Sequence, residues 1–169
     1  MMSPKLKQSF LRDIELSASL MRRLMNLWPP LLGAGIHIEH ISADYREVRV
    51  RMRQRLFNTN IFGTHFGGSL YALCDPFFAL LILRNLGRDY VVWDRAAQID
   101  FVLPARGTVR ATFRIDDAIL ADIRQNTAGG DKYEPVLPVD IVDSRGDTVA
   151  SVLKTIYIRR KPGTEKKAP

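Results

Sequence analysis

Cysteine and histidine are scarce in this sequence, and acidic residues are outnumbered by basic ones. A single cysteine, Cys74, has no partner within the chain, so a disulfide framework is excluded and a reducing, cytoplasmic setting is expected. Its neighbours Leu73, Pro76 and Phe77 mark it as a small buried apolar residue rather than a nucleophile. The three histidines are His37, His40 and His65. None stands in a Cys/His spacing of the kind that holds zinc, so no metal is expected. His37 and His40 fall on opposite faces of one extended run, where hydrogen bonding explains them. No apolar run is clean enough to cross a membrane. The best, 68–86, carries Asp75, Pro76, Arg84 and Asn85. Met1 to Leu11 is polar and offers no secretory core. No repeat and no second domain are visible.

What is present is an ordinary globular mixture. Of 169 residues, 46% are hydrophobic and 25% charged, enough for one core without staples. Net charge is +7, a field suited to anionic ligands but not selective among them. Residues 5–28 repeat apolar positions at helical spacing, and Pro29-Pro30 is expected to end that helix. Its basic face suggests a membrane surface, but Asp13 and Glu15 favour packing on a core. Gly33 and Gly35 are read as opening a strand, Ile36–Ser42, that turns into a second at 46–54. In the second, Val48, Val50 and Met52 alternate with Arg49, Arg51 and Arg53, the mark of an antiparallel sheet covered on one face. That arginine row has no interleaved aromatics and no helix-turn-helix beside it, so nucleic acid is not the expected partner. Further strands are expected at 90–103, 108–116, 133–142 and 148–159, with a short helix from 117 and a turn at 143–147. The expected organisation is one α+β domain over 1–169. Residues 1–30 form an N-terminal helix, 33–160 a sheet wrapped on a central helix, and 161–169 a charged tail.

The chemistry concentrates at 58–86. A polar, Gly-rich loop runs into a helix that is apolar on nearly every side yet contains Asp75. Such a helix must be buried, and a carboxylate there is costly without a partner or a task. Gly67 and Gly68 would present bare N–H groups at the positive end of the helix, where they could polarise a carbonyl. Pro76 should kink the helix beside Asp75 by removing the bond to Ala72.

These residues resemble a hotdog-fold thioesterase over roughly 33–160. More narrowly, Leu27-Trp28-Pro29-Pro30, Gly33-Ala34-Gly35-Ile36 and Phe66-Gly67-Gly68-Ser69-Leu70-Tyr71-Ala72-Leu73 resemble the DUF4442 branch, described as tetrameric acyl-CoA thioesterases. Asp75 seven residues after Gly68, and Asn60 seven before Gly67, are similar to the phenylacetyl-CoA-type enzymes. The resemblance implies a homodimer, as a dimer of dimers, whose sheets join edge to edge and whose sites form across the interface. It implies Asp75 as general base, Gly67 or Gly68 as oxyanion donor and Asn60 as orienting group. Relatives commonly place His directly before Gly-Gly. Here Phe66 holds that place and His65 stands one earlier, so His65 is a further candidate. A polar residue from the following strand is also implied, and Asp94, Arg95 and Gln98 remain open for that role.

No cofactor is expected, coenzyme A entering as part of the substrate. Its phosphates are assigned to Arg106, Arg110, Arg159 and Arg160, together with Lys161, and its acyl group to Phe62, Phe66, Tyr71, Leu73, Phe77 and Phe78. The leading expectation is an acyl-CoA thioesterase. A non-catalytic acyl-CoA or acyl-carrier-protein binding module is the alternative. A dehydratase using His65 and a basic interaction protein using the arginine row stand behind them.

Overall fold

The computed structural model describes residues 16–162. The first part of the expected N-terminal helix and the end of the charged tail lie outside the described residues. Helix α1 (Ala18–Asn26) is started by Ser17, whose hydroxyl accepts from the Leu20 amide, and it buries Ala18, Met21 and Met25. Pro29-Pro30 ends it as expected but also opens a second short helix, α2 (Pro29–Ala34). Proline suits the first helical turn, where its missing N–H has no intrahelical use. Gly35, at φ 76°, closes α2, and Gly33 lies inside it, so neither glycine opens the strand.

Strands β1 (Ile36–Ile41) and β2 (Glu47–Arg53) form the first hairpin. They are followed by β3 (Tyr90–Phe101), β4 (Thr108–Arg114), the two-residue β5 (Lys132–Tyr133), β6 (Val136–Val142) and β7 (Thr148–Arg160). Helix α5 (Asp117–Asn126) follows β4 and is capped by Asp116, whose carboxylate accepts from the Ile119 amide. The strand expected from 133 is split. Residues 132–133 pair with the end of β7, and pairing of β6 with β7 begins only after Pro135.

The antiparallel sheet has the order β1-β2-β4-β6-β7-β3, with β5 beside β7. Val48, Val50 and Met52 of β2 point inward with Val109, Ala111 and Phe113 of β4, all closed to solvent. Arg49, Arg51 and Arg53 point the other way. Glu47 pairs with Arg49 and Arg114, and Glu39 with Arg51 and Arg110, so much of that outer row is neutralised at the surface.

The central segment is two helices rather than one kinked helix. Helix α3 (Gly67–Ala72) and helix α4 (Phe77–Leu86) are separated by residues 73–76. Pro76 has no N–H to give Ala72, and the Asp75 amide bonds that carbonyl instead, at 3.2 Å. Helix α4 then restarts with the Leu80 amide on Pro76 O, and the Asp75–Pro76 peptide is cis. By length and composition 67–86 could cross a membrane. Here it is a core segment, touching β2, β3, β4 and β7. Phe77 and Phe78 each lie 5.1 Å, centroid to centroid, from Phe113.

Candidate functional site

The break between α3 and α4 leaves Asp75 where a helix would otherwise continue, and two strands bring charge up to it. Along β7 the inward positions are Ala150, Val152, Lys154, Ile156 and Ile158, and all are closed to solvent. Lys154 is therefore an ammonium on an apolar face, with 0% of its side chain exposed. Nothing would hold a charge there without a partner. On the neighbouring β3, Asp94 lies opposite Ile156, one inward step from Lys154. A bulge at Arg95 follows, and beyond it the inward positions of β3 shift from even to odd numbers.

The result is a compact polar cluster. Lys154 Nζ is 3.0 Å from Asp94 Oδ1 and 3.6 Å from Asp75 Oδ1. It donates to the Tyr71 hydroxyl at 3.4 Å and lies 5.0 Å from the centre of the Tyr71 ring. Exposure of the side chains rises outward, from none at Lys154 through 18% at Asp94 to 47% at Asp75. Asp94 Oδ1 is shut off from solvent and its contact with Lys154 is poorly aligned as a hydrogen bond, so it is held by charge more than by direction. Burial and a hydrogen bond shared with Asp75 push the Asp94 carboxyl up to about 6, against the pull of Lys154. Burial alone would lower the Lys154 ammonium. Asp94, Asp75 and Tyr71 outweigh it, and the ammonium is held above its ordinary range. One cation between two carboxylates leaves the cluster short of positive charge, and the half-exposed Asp75 is its outermost member. That group can take a proton from a water or ligand in front of it.

Cys74 adjoins the cluster but is fully buried, and burial pushes its thiol up to about 12, consistent with a packing role. Among the described residues no group of His, Cys, Asp or Glu is arranged to hold a metal.

The Gly67–Gly68 end lies at the far end of α3. The Ser69 and Leu70 amides both return to Phe66 O, whereas the first two amides, those of the glycines, precede any intrahelical acceptor. Aromatic rings close on both glycines. A Cβ on Gly67 would sit 3.0 Å from Phe101 Cζ, and one on Gly68 would collide with Phe66 Cε1. A cleft of about 480 Å³ opens beside Gly67, walled by Phe62, Leu70 and the 101–105 segment, with Asn60 and His65 at its polar side.

Asn60 and His65 are both engaged. The Asn60 amide donates to Thr64 Oγ1 and His65 O, and its oxygen accepts from the Phe62 and Thr64 amides. Asn60 therefore ties its own loop together. His65 is 2% exposed and its Nε2 lies 3.0 Å from Gly107 O. A carbonyl only accepts, so Nε2 carries the hydrogen and Nδ1 bears a lone pair, which has no partner among the described residues. Burial lowers its pKa, which favours the neutral ring.

The remaining expected site residues do not converge within one chain. Phe77 and Phe78 are core residues rather than pocket lining, and Leu73 is likewise shut away. Phe62 and Phe66 are exposed, and Tyr71 belongs to the Lys154 cluster. Arg106 braces the loop through Gly63 O. Arg110 is on the outer sheet face with Glu39. Arg159 and Arg160 lie by the 128–130 loop at the end of β7, Arg159 donating to Gly130 O. They form no single phosphate site. Of the three candidates on β3, Asp94 is the one in the cluster. Lys154 had no place among the expected site residues. The signal for it was an inward position on an alternating strand filled by a lysine.

Solved structures with the same fold include three at low identity. A Pseudomonas aeruginosa protein of unknown function, described as a "Probable Thioesterase", is 21% identical with a TM-score of 0.75, covering 86% of this chain and 97% of its own. A Haemophilus influenzae thioesterase is 14% identical with a TM-score of 0.64, covering 90% and 97%. The E. coli PaaI protein of the phenylacetic acid degradation operon is 20% identical with a TM-score of 0.59, covering 83% and 89%. No curated protein matches the chain. The family model described as "Domain of unknown function (DUF4442)" matches residues 17–158, and with that span and this α+β hotdog architecture the chain belongs to the DUF4442 family.

Proposed function

We propose that the protein hydrolyses acyl-CoA thioesters, with Asp75 as the general base. The observation that carries this reading is the half-exposed Asp75 carboxylate at the helix break, backed by Asp94 and a wholly buried Lys154. Asp75 takes a proton from water as that water attacks the thioester carbonyl carbon. A Gly67 or Gly68 amide donates to the oxygen that becomes negative. The C–S bond then breaks, the carboxylic acid forms, and the departing thiolate of coenzyme A recovers the proton from Asp75. Lys154 limits the charge that builds around the pair of carboxylates. Asn60 holds the loop that shapes the cleft, and the buried His65 ring ties the same loop to Gly107 O. Phe62, Phe66 and Phe101 receive the acyl group.

Two copies are needed. Seven residues of helix-like chain separate Gly68 from Asp75, roughly 10 Å at a helical rise of ~1.5 Å per residue. One carbonyl and its attacking water must lie within about 3 Å of both groups. The acid of one protomer therefore serves the glycine amides of another. Strand β3 supports the pairing, being a terminal strand of twelve residues with one side of its ladder unused among the described residues and Trp93, Phe101, Val102 and Leu103 exposed along or just beyond it. This reading makes the unit a homodimer joined edge to edge, which can pair again into a tetramer.

The aromatic cover on the glycines favours a second reading, a module that binds acyl-CoA without hydrolysing it. Free-thiol release from short, medium, long and aromatic acyl-CoAs separates the two. Turnover of any class is expected. Saturable binding of acyl-CoA with no thiol released from any of them would establish the binding module instead.

A further inference from the structure

A second cleft, of about 400 Å³, shares no lining residue with the Gly67 cleft. Its floor is the β1–β2 pair, where His37 and Arg51 are direct cross-strand partners and Arg53 is the next outward residue. Leu32 and Gly35 of the α2 end, Phe57 packed against Gly35, and Arg55 complete the lining.

This cleft is firmly built. Asn26 bonds both the N–H and the carbonyl of Ile38, fixing α1 to the β1 edge. Asn58, 1% exposed, donates to Ala34 O and Arg53 O, tying the end of α2 to the end of β2. Its charge is one-sided. Among the described residues no Asp or Glu lines it. Glu39 is divided between Arg51 and Arg110, and among the described residues neither Arg53 nor Arg55 has a carboxylate partner. From α1, Arg22 adds to the same field: burial, then Arg51 and Arg22, lower the His37 imidazole, with Glu39 opposing them. Arg53 and Arg55, two guanidinium groups with no carboxylate partner among the described residues, sit in a concave, partly apolar site and suit an oxyanion such as phosphate that takes paired N–H bonds and carries an apolar portion.

We propose that this cleft binds a phosphate-bearing small molecule, Arg53 and Arg55 engaging the phosphate while Leu32 and Phe57 contact its apolar part. The inference does not rest on the hydrolytic reading, since it concerns a different cleft and different residues.

The test follows the His37 ring resonances of the full chain by NMR during titration with inorganic pyrophosphate and, separately, with unacylated coenzyme A. The same titrations are run on Arg53→Gln/Arg55→Gln, whose altered side chains are solvent-exposed and whose melting temperature reports on folding. Both probes are expected to shift His37 saturably and to raise its pKa. The double variant is expected to bind at least ~10-fold more weakly while melting like wild type. Coenzyme A, the probe with a base and an organic tail, is expected to bind more tightly than pyrophosphate. Equal affinities would overturn the apolar half of the site. No His37 response to either probe at millimolar concentration, or equal binding by the variant, would overturn the whole proposal. Because neither probe is a thioester, a negative result leaves the Asp75 reading as it was.

Discussion

The two halves of the sheet treat the central helices differently. The β2–β4 half offers them an apolar interior, with Val48, Val50 and Met52 beside Val109, Ala111 and Phe113, and keeps its charges outside, most of them in pairs. The β7–β3 half breaks the same pattern at one place, where Lys154 and Asp94 stand among Val152, Ile156 and Ile158. The first half holds the helices. The second brings charge to the point where α3 stops and α4 begins, and so separates a region that stabilises from a region that can do chemistry. A buried ion group has little to recommend it for stability alone, because apolar residues of similar volume do as well or better.

The largest effect that would test this contrast is in the apolar half. Phe113→Ala removes the ring against which Phe77 and Phe78 pack and should cost about 3–5 kcal/mol in chemical denaturation. Turnover per folded molecule should be retained. A loss of turnover in the fully folded variant would mean that the two halves are not separable.

Lys154→Met comes next. It keeps the volume but leaves two carboxylates without their cation, and should cost about 2–3 kcal/mol at neutral pH. The loss should shrink in acid, where the carboxyls take up protons. A penalty unchanged between pH 5 and pH 8 would show that Lys154 acts through packing.

Asp94 gives a smaller, signed effect. Its folded pKa, about 6, lies above the ordinary aspartate value of 3.8. The folded state thus holds a proton that the unfolded state has lost between those values. Stability due to this group is full below about pH 4, declines as pH rises through about 6, and is flat above. Unfolding of wild type and Asp94→Asn compared across pH 4–8 should show the variant gaining on wild type up to about pH 6 and no further.

The least effect is expected on the outer face. Arg49→Gln breaks an exposed pair with Glu47, which keeps Arg114, and should change stability by under ~0.5 kcal/mol. A larger change in a thermal melt would show that the outer arginines contribute more than surface pairs do.

Much of this contrast was written in the sequence, but unevenly. The β2 alternation announced its own inward and outward faces, and the strands after the central segment fell close to where turn residues placed them. Lys154 obeys the same alternation, but a lysine in a strand is ordinarily an outward residue, so its type hides its inward position. Asp94 could not be chosen over Arg95 and Gln98, since the bulge at Arg95 changes which positions face inward and no residue pattern located it. Pro76 announced a disturbance but not its size, a full break rather than a bend. Pro29-Pro30 announced the end of one helix and concealed the start of another. Phe77 and Phe78 read equally well as pocket or core, and the distinction depended on Phe113, thirty-five residues further along.

The measurement that bears most directly on the central claim is kcat and acyl-CoA affinity for wild type and Asp75→Asn on the thioester that wild type hydrolyses best. Asp75 lies at the outer, half-exposed end of the cluster, so the substitution should leave the fold and binding near wild type. The account predicts a fall in kcat of about 10²–10⁴-fold with affinity changed by no more than a few-fold. Equal kcat in the two proteins would contradict it and remove Asp75 from the chemistry.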